Sequence, residues 1–312
     1  MKIALLVTGH LRNNPIDCIQ SIQNYIKKNY TNNLDLYIDT YESMGLVNKE
    51  KVYSSAEHDW FDKNNQMEIV QRNLKQLNPD FYNIDDFETF QNELVMPKIR
   101  FIVESLNKKN IEIKNIGLLK SFIAQTTKRN QLISNINNLN NYDYVFITRP
   151  DVNFENLPKL TLNDKFNFFQ NNEFLGKDRS VFSFRYNFIE NLYEENKLSR
   201  LYFFKRFTEK IYLTGDICFI AKSEIISDFN KKINNNIEKN ILDLNLKKYQ
   251  FLKWSEKDIS HFNNLPSWEM PEFLLTKLLT NHIETQKYGV FKLNNKNNLR
   301  QFEFSKLVNS KS

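Results

Sequence analysis

Apolar residues fall in short unbroken runs at the start and middle of the chain, and between these runs they recur every three or four positions. That alternation of two periods predicts a sheet with helices packed against it. Ile3, Ala4, Leu5, Leu6 and Val7 form the first run, closed by Thr8-Gly9-His10-Leu11-Arg12. Ile16, Ile19, Ile22 and Ile26 then repeat at helical spacing. Residues 34–41 give a second strand with Asp39 and Thr40 near its carboxyl end, which completes a β-α-β unit. After a polar stretch over 42–64, the pattern predicts a helix over 66–76, a short strand over 81–84 and helices over 97–106 and 116–136. These lead to Tyr142-Asp143-Tyr144-Val145-Phe146-Ile147-Thr148-Arg149-Pro150-Asp151-Val152-Asn153-Phe154. Aromatic and β-branched residues with no internal Gly make this a buried strand. Pro150 removes a ladder donor and forces Arg149 to be extended, so the strand ends there, and a cation and a carboxylate leave the sheet together.

Past Phe154 the periods mix. Alternation over 180–184 predicts a strand and 187–207 a helix; 215–221 reads as a strand backed by a helix over 222–229. Residues 231–240 read as a helix extension or surface loop, and 268–283 as a helix whose start Pro271 sets. Residues 294–312 form a polar tail. With 312 residues and no internal repeat, the expectation is one large domain with a C-terminal elaboration.

Composition narrows the function classes. No apolar run approaches the roughly 18 residues of a membrane span, and Ile3 to Val7 is too short for a signal-peptide core. A cytoplasmic protein is expected. Cys18 and Cys218 are the only cysteines, with no Cys-x-x-Cys or His-x-His spacing, so no disulfide framework or zinc site is signalled. The net charge of +6 is spread among Asn, Asp and Glu without forming a basic block, which argues against nucleic acid. A mild attraction for anionic substrates or an anionic membrane face remains. Basic and aromatic residues do mix over 198–207, which suits either peripheral contact with a membrane or a half-buried helix with snorkelling cations.

The candidate chemistry lies at strand ends. If the first, second and central strands are parallel neighbours, Thr8, Gly9, His10, Arg12, Asp39, Thr40, Arg149 and Asp151 share the carboxyl edge of the sheet, where open α/β folds bind ligands. There Gly9 lets backbone pass close to a ligand, Arg12 can grip a phosphate, and Asp151 can hold a Mg²⁺ that also takes phosphate oxygens. Plainer uses are a tight turn at Gly9, a packed imidazole at His10 and a surface pair at Arg149 and Asp151. Lys128, with Gln125 and Arg129 on the helix before the central strand, either reaches a phosphate or forms a solvated face. Gly-x-Gly-x-x-Gly, Gly-x-x-x-x-Gly-Lys-Ser/Thr and Gly-x-Ser-x-Gly are all missing, which disfavours dinucleotide oxidoreductases, P-loop enzymes and α/β-hydrolases.

The stretches 2–12, 35–41 and 142–151, in that order, resemble bacterial surface-polysaccharide glycosyltransferases of the GT-A type, including the WavE-like lipopolysaccharide group. The resemblance covers the first half well and the second loosely. It implies a GT-A-like α/β fold with a mostly parallel, Rossmann-like sheet flanked by helices. Residues 1–154 would form the nucleotide-sugar-binding half and 155–312 the acceptor-binding half of one domain. It implies transfer of a sugar from a nucleotide-sugar donor to a glycan or lipid-linked glycan acceptor of capsule or lipopolysaccharide, with peripheral contact at the inner membrane. In this group an Asp-x-Asp motif after a central strand holds Mg²⁺ or Mn²⁺ and the donor diphosphate. Arg149-Pro150-Asp151 keeps only the second carboxylate, so Asp151 is the implied metal ligand and Arg149 a cation in place of the first Asp. Acceptor-side carboxylates that could act as base are Asp216, Glu269 and Glu272, with Trp268 beside them to stack on a sugar or to pack inside; inversion and retention are both open. Two rivals share the same rim: a transferase of another phosphate-linked group, and a non-catalytic glycan-binding or assembly protein.

Overall fold

The computed structural model describes residues 1–11, 14–43, 66–152, 154, 167–169, 218–244, 246, 268–269 and 271–282. Its centre is the strand β1, Ile3–Thr8, buried along its whole length. That burial follows from position: parallel strands flank β1 on both sides and helices cover both faces. The others are β2 (Leu34–Tyr41), β3 (Phe81–Asp85), β4 (Tyr144–Thr148), β5 (Asn167–Phe169) and β6 (Cys218–Lys222), in the spatial order β3-β2-β1-β4-β6-β5. β3, β2, β1 and β4 are mutually parallel, while β6 runs antiparallel to both β4 and β5. The mostly parallel α/β sheet expected from the sequence is present.

The pleat divides the side chains. Ala4, Leu6, Tyr41, Val145 and Ile147 face one layer, built from α4 (Met96–Lys108), α5 (Ile116–Ser134), α6 (Ser223–Lys232), α7 (Ile237–Leu242) and α8 (Pro271–His282). Ile3, Leu5, Val7, Leu36, Ile38 and Phe146 face the other, built from α1 (Pro15–Asn29) and α2 (Gln66–Leu77). A one-turn helix α3 (Phe87–Phe90), capped by Asp86 accepting the Thr89 N–H at 2.6 Å, leads through a π-helical turn, Gln91–Val95, into α4. Of the two readings for 231–240 the helical one holds: α6 runs on to Lys232 and α7 starts at Ile237, with Ile233, Asn234 and Ile237 fully buried while Lys231, Asn235 and Asn236 stay exposed. The strand and helix expected over 180–184 and 187–207, and the tail 294–312, lie outside the described residues. Among those described, no helix is long and apolar enough to cross a membrane.

Strand order reverses at β1. The chain moves to β2 and β3 on one side and returns to β4 on the other, which leaves a crevice outside the carboxyl ends of β1 and β4. The amino edge is closed by a tie between strands: Tyr142 Oη donates to Asp35 Oδ2 at 2.5 Å, and Lys2 Nζ lies 2.8 Å from the same oxygen.

Candidate functional site

Two turns meet at that crevice. Gly9, directly after β1, has φ of 120°, which side-chain-bearing residues rarely adopt, and donates its N–H to the Asp39 carbonyl at 3.1 Å. A Cβ on Gly9 would stand 3.6 Å from Pro150 Cδ, so the turn after β1 lies against the turn after β4. Arg149 grips Asp151 with two parallel hydrogen bonds, Nε to Oδ1 at 3.0 Å and Nη2 to Oδ2 at 2.5 Å. Both side chains remain partly exposed. Thr8 is buried beneath this rim, and Thr40 is fully buried with its hydroxyl unpartnered, on the α1–α2 side of the sheet.

His10 is packed at the rim. Its ring lies 4.4 Å from Tyr41 and 4.9 Å from Phe87, centroid to centroid, and Nδ1 is 2.8 Å from the Ser43 carbonyl. A carbonyl only accepts, so the neutral ring carries its proton on Nδ1 and leaves Nε2 as the basic nitrogen.

Asp39 and Lys128 lie below the rim. Asp39 pairs in register with Thr8 on one side and Asn83 on the other, on the pleat face that α5 covers. Its carboxylate is fully buried: Oδ1 lies 2.6 Å from Lys128 Nζ and accepts from Asn83 Nδ2 at 3.1 Å, while Oδ2 has no partner. Lys128 is 1% exposed, also bonds Asp85 Oδ2 at 2.5 Å, and lies 4.3 Å from the Tyr41 ring centre. A solvated face or a phosphate contact for Lys128 is therefore not what the fold provides. The reason is spacing: Ala124, Lys128 and Leu132 share one helical face, and that face is turned inward.

Burial pushes the Asp39 carboxyl up to about 6, against the opposing pull of Lys128 and Asn83. Between the ordinary 3.8 and about 6 the folded chain holds a proton that the unfolded chain has lost, so stability falls as pH rises through that window. Relative to Asp39→Asn, wild type is expected to lose on the order of 2 kcal/mol of unfolding free energy between pH about 4 and about 6.5. Urea unfolding of both proteins across that range checks it; parallel stability curves would refute it.

The acceptor-side residues fare differently. Glu269 is fully buried, its Oε1 accepting the Lys114 N–H at 2.6 Å at the entry to α5, with Oε2 unpartnered. It is not presented to an acceptor. Trp268 is buried too, its indole N–H donating to the Glu112 carbonyl at 3.3 Å. Arg12, Asp216 and the Glu272 side chain lie outside the described residues. Asp85, Asn83, Tyr41 and Phe87 were not singled out from sequence, although alternation over 81, 83 and 85 places Asn83 and Asp85 on one face.

Among the described residues, no three His, Cys, Asp or Glu side chains converge as a metal-holding group. Both Asp151 oxygens already accept from Arg149, so a divalent cation would have to share them with a guanidinium. The described residues thus offer one carboxylate, already paired, and no preformed metal centre.

No family model matches the chain, and no curated protein matches it at a significant level. Solved structures do match it, among them a glycan synthase. This is a crystal structure of core-mannan synthase A from Aspergillus fumigatus in its Mn/GDP form, with 10% sequence identity, a TM-score of 0.38, and coverage of 92% of this chain and 72% of that one. A similarity of that degree leaves the chemistry to be read from the site itself.

Proposed function

We propose that this chain is a GT-A-like glycosyltransferase that moves a sugar from a nucleotide-sugar donor to a cell-surface polysaccharide acceptor. The observation that carries the reading is the meeting of the Gly9 turn with Arg149-Pro150-Asp151 at the point where strand order reverses. A backbone turn that lacks a side chain, beside a guanidinium, suits a diphosphate: the turn admits close approach and the cation offsets charge.

In the transfer, the bond from the anomeric carbon to the diphosphate oxygen breaks and a bond from that carbon to an acceptor hydroxyl oxygen forms. The nucleoside diphosphate leaves with the bonding pair, and the hydroxyl proton passes to a base. Arg149 stabilises the charge that grows on the leaving oxygen. Because Arg149 occupies both Asp151 oxygens, this reading gives the charge-offsetting role to Arg149 and routes no step through a metal. Asp216 and Glu272 are the proposed acceptor-side carboxylates. Glu269 leaves that set because it is sealed against the entry to α5.

A thermal-shift panel tests the reading. UDP or GDP is expected to raise the melting temperature at millimolar concentration, by mass action on a folded-state site. Stabilisation by CDP alone would favour transfer of another phosphate-linked group. No response to any nucleotide, with binding to a glycan, would point to a non-catalytic glycan-binding protein. Repeating the panel with Mn²⁺ shows whether Asp151 takes a cation once a nucleotide is present.

A further inference from the structure

Lys128 is a buried cation that the proposed transfer does not use. An ammonium withdrawn from water is tolerated only where its partners are close, and here two carboxylates from neighbouring strands reach it, Asp39 at 2.6 Å and Asp85 at 2.5 Å. Without it these two like charges would face each other at the ends of β2 and β3.

Each carboxylate belongs to a residue whose backbone supports the rim. The Asp39 carbonyl accepts the Gly9 N–H at 3.1 Å. The Asp85 carbonyl accepts the Glu42 N–H at 3.0 Å, and the next residue, Ser43, fixes His10 Nδ1 through its carbonyl at 2.8 Å. Both routes from the lysine end on adjacent residues, Gly9 and His10. Tyr41 links them a third way, packed against the His10 ring and under the Lys128 ammonium.

We infer that Lys128 is a positioning residue, clamping Asp39 and Asp85 so that the Gly9-His10 turn is held in the geometry that receives a nucleoside diphosphate. The ligand in this inference rests on the nucleotide-binding reading above; the clamp itself does not. Lys128 touches no ligand, and its effect on binding passes through Asp39 and Asp85.

The experiment compares full-length wild type, Lys128→Met, and Lys128→Met combined with Asp39→Asn, which removes the buried charge left behind. Amide hydrogen exchange is followed in residues 3–11 and, as a remote control, in α6. Calorimetry gives the Kd for GDP and for UDP. In Lys128→Met, exchange at Gly9 is expected to rise about tenfold while α6 stays within about twofold of wild type. The Kd of whichever nucleotide wild type binds is expected to rise about tenfold, and the double variant to recover most of both losses. Unchanged Gly9 exchange in folded Lys128→Met overturns the inference. So does an equal rise in α6, which would mark a general loss of stability. A double variant whose Gly9 exchange recovers while it binds nucleotide no better than Lys128→Met also overturns it, since that is the behaviour of a direct phosphate ligand. If wild type binds neither GDP nor UDP, the proposed function fails and Gly9 exchange alone decides the clamp. Should Lys128→Met not fold, Lys128→Arg keeps the charge but spreads it over a planar group too large for the same contacts. Gly9 exchange is then expected to rise about threefold, and no rise overturns the inference.

Discussion

Asp151→Ala is expected to fold normally and to release nucleoside diphosphate from its sugar donor about 10²–10³-fold more slowly than wild type. The folding half of this expectation comes from exposure. The Arg149 and Asp151 side chains are 37% and 20% exposed, and an ion pair so placed contributes about 1 kcal/mol or less. The catalytic half comes from Asp151 holding the Arg149 guanidinium with two hydrogen bonds beside Gly9, so its removal takes the cation out of position. Arg149 should behave in step with it. Its guanidinium spans both Asp151 oxygens, which a lysine ammonium cannot reproduce, so Arg149→Lys is expected to fall nearly as far as Arg149→Ala. Donor affinity then separates two roles. A guanidinium that offsets diphosphate charge directly makes Arg149→Ala raise the donor Kd on its own account. One that only orients Asp151 gives equal losses in Arg149→Ala, Asp151→Ala and the double variant. Unchanged kcat and KM in folded Arg149→Ala would remove the pair from the site.

The second large effect is on stability. Trp268→Ala is expected to lower the unfolding free energy by about 3–5 kcal/mol, since it empties the space of a side chain that is 2% exposed and strands the Glu112 carbonyl its indole satisfied. Trp268→Phe should recover most of the packing but not the hydrogen bond. Denaturant titration of the three proteins measures both. A tryptophan stacked on an acceptor sugar would behave in the opposite way, with little change in stability and a raised acceptor KM in both variants.

What the sequence disclosed and what it hid divide along a physical line. Strand ends were legible because local chemistry sets them: the run Ile3 to Val7 must be covered on both faces, and Pro150 must stop a ladder. β2 falls on residues 34–41 as expected, and the four parallel strands follow from helices placed between strands. The direction of β6 was not legible, because nothing in residues 215–222 specifies how the chain approaches β4. The π-helical turn at Gln91–Val95 has no residue signature either. Charges were the hardest to place. Lys128 reads as a surface residue by type, and only its spacing with Ala124 and Leu132, taken with acids at Asp39 and Asp85, marks it as buried. Glu269 at a helix start looks like an ordinary favourable dipole contact, yet its carboxylate is committed to a backbone amide of another helix's approach, a tertiary fact that no local pattern carries.

The position of β1 also shapes how the chain is made. β1 leaves the ribosome before β2 and β4 and lies between them, and the N–H of Lys2, next to it, bonds Asp143, 141 residues later. At about 5–20 residues per second, the wait for β4 is on the order of ten seconds. Through that interval one edge of a strand that is apolar from Ile3 to Val7 has no mate, and the crevice beside Gly9 has only one wall. A nascent chain stalled before residue 144 would therefore present an adhesive sheet edge and no site at all.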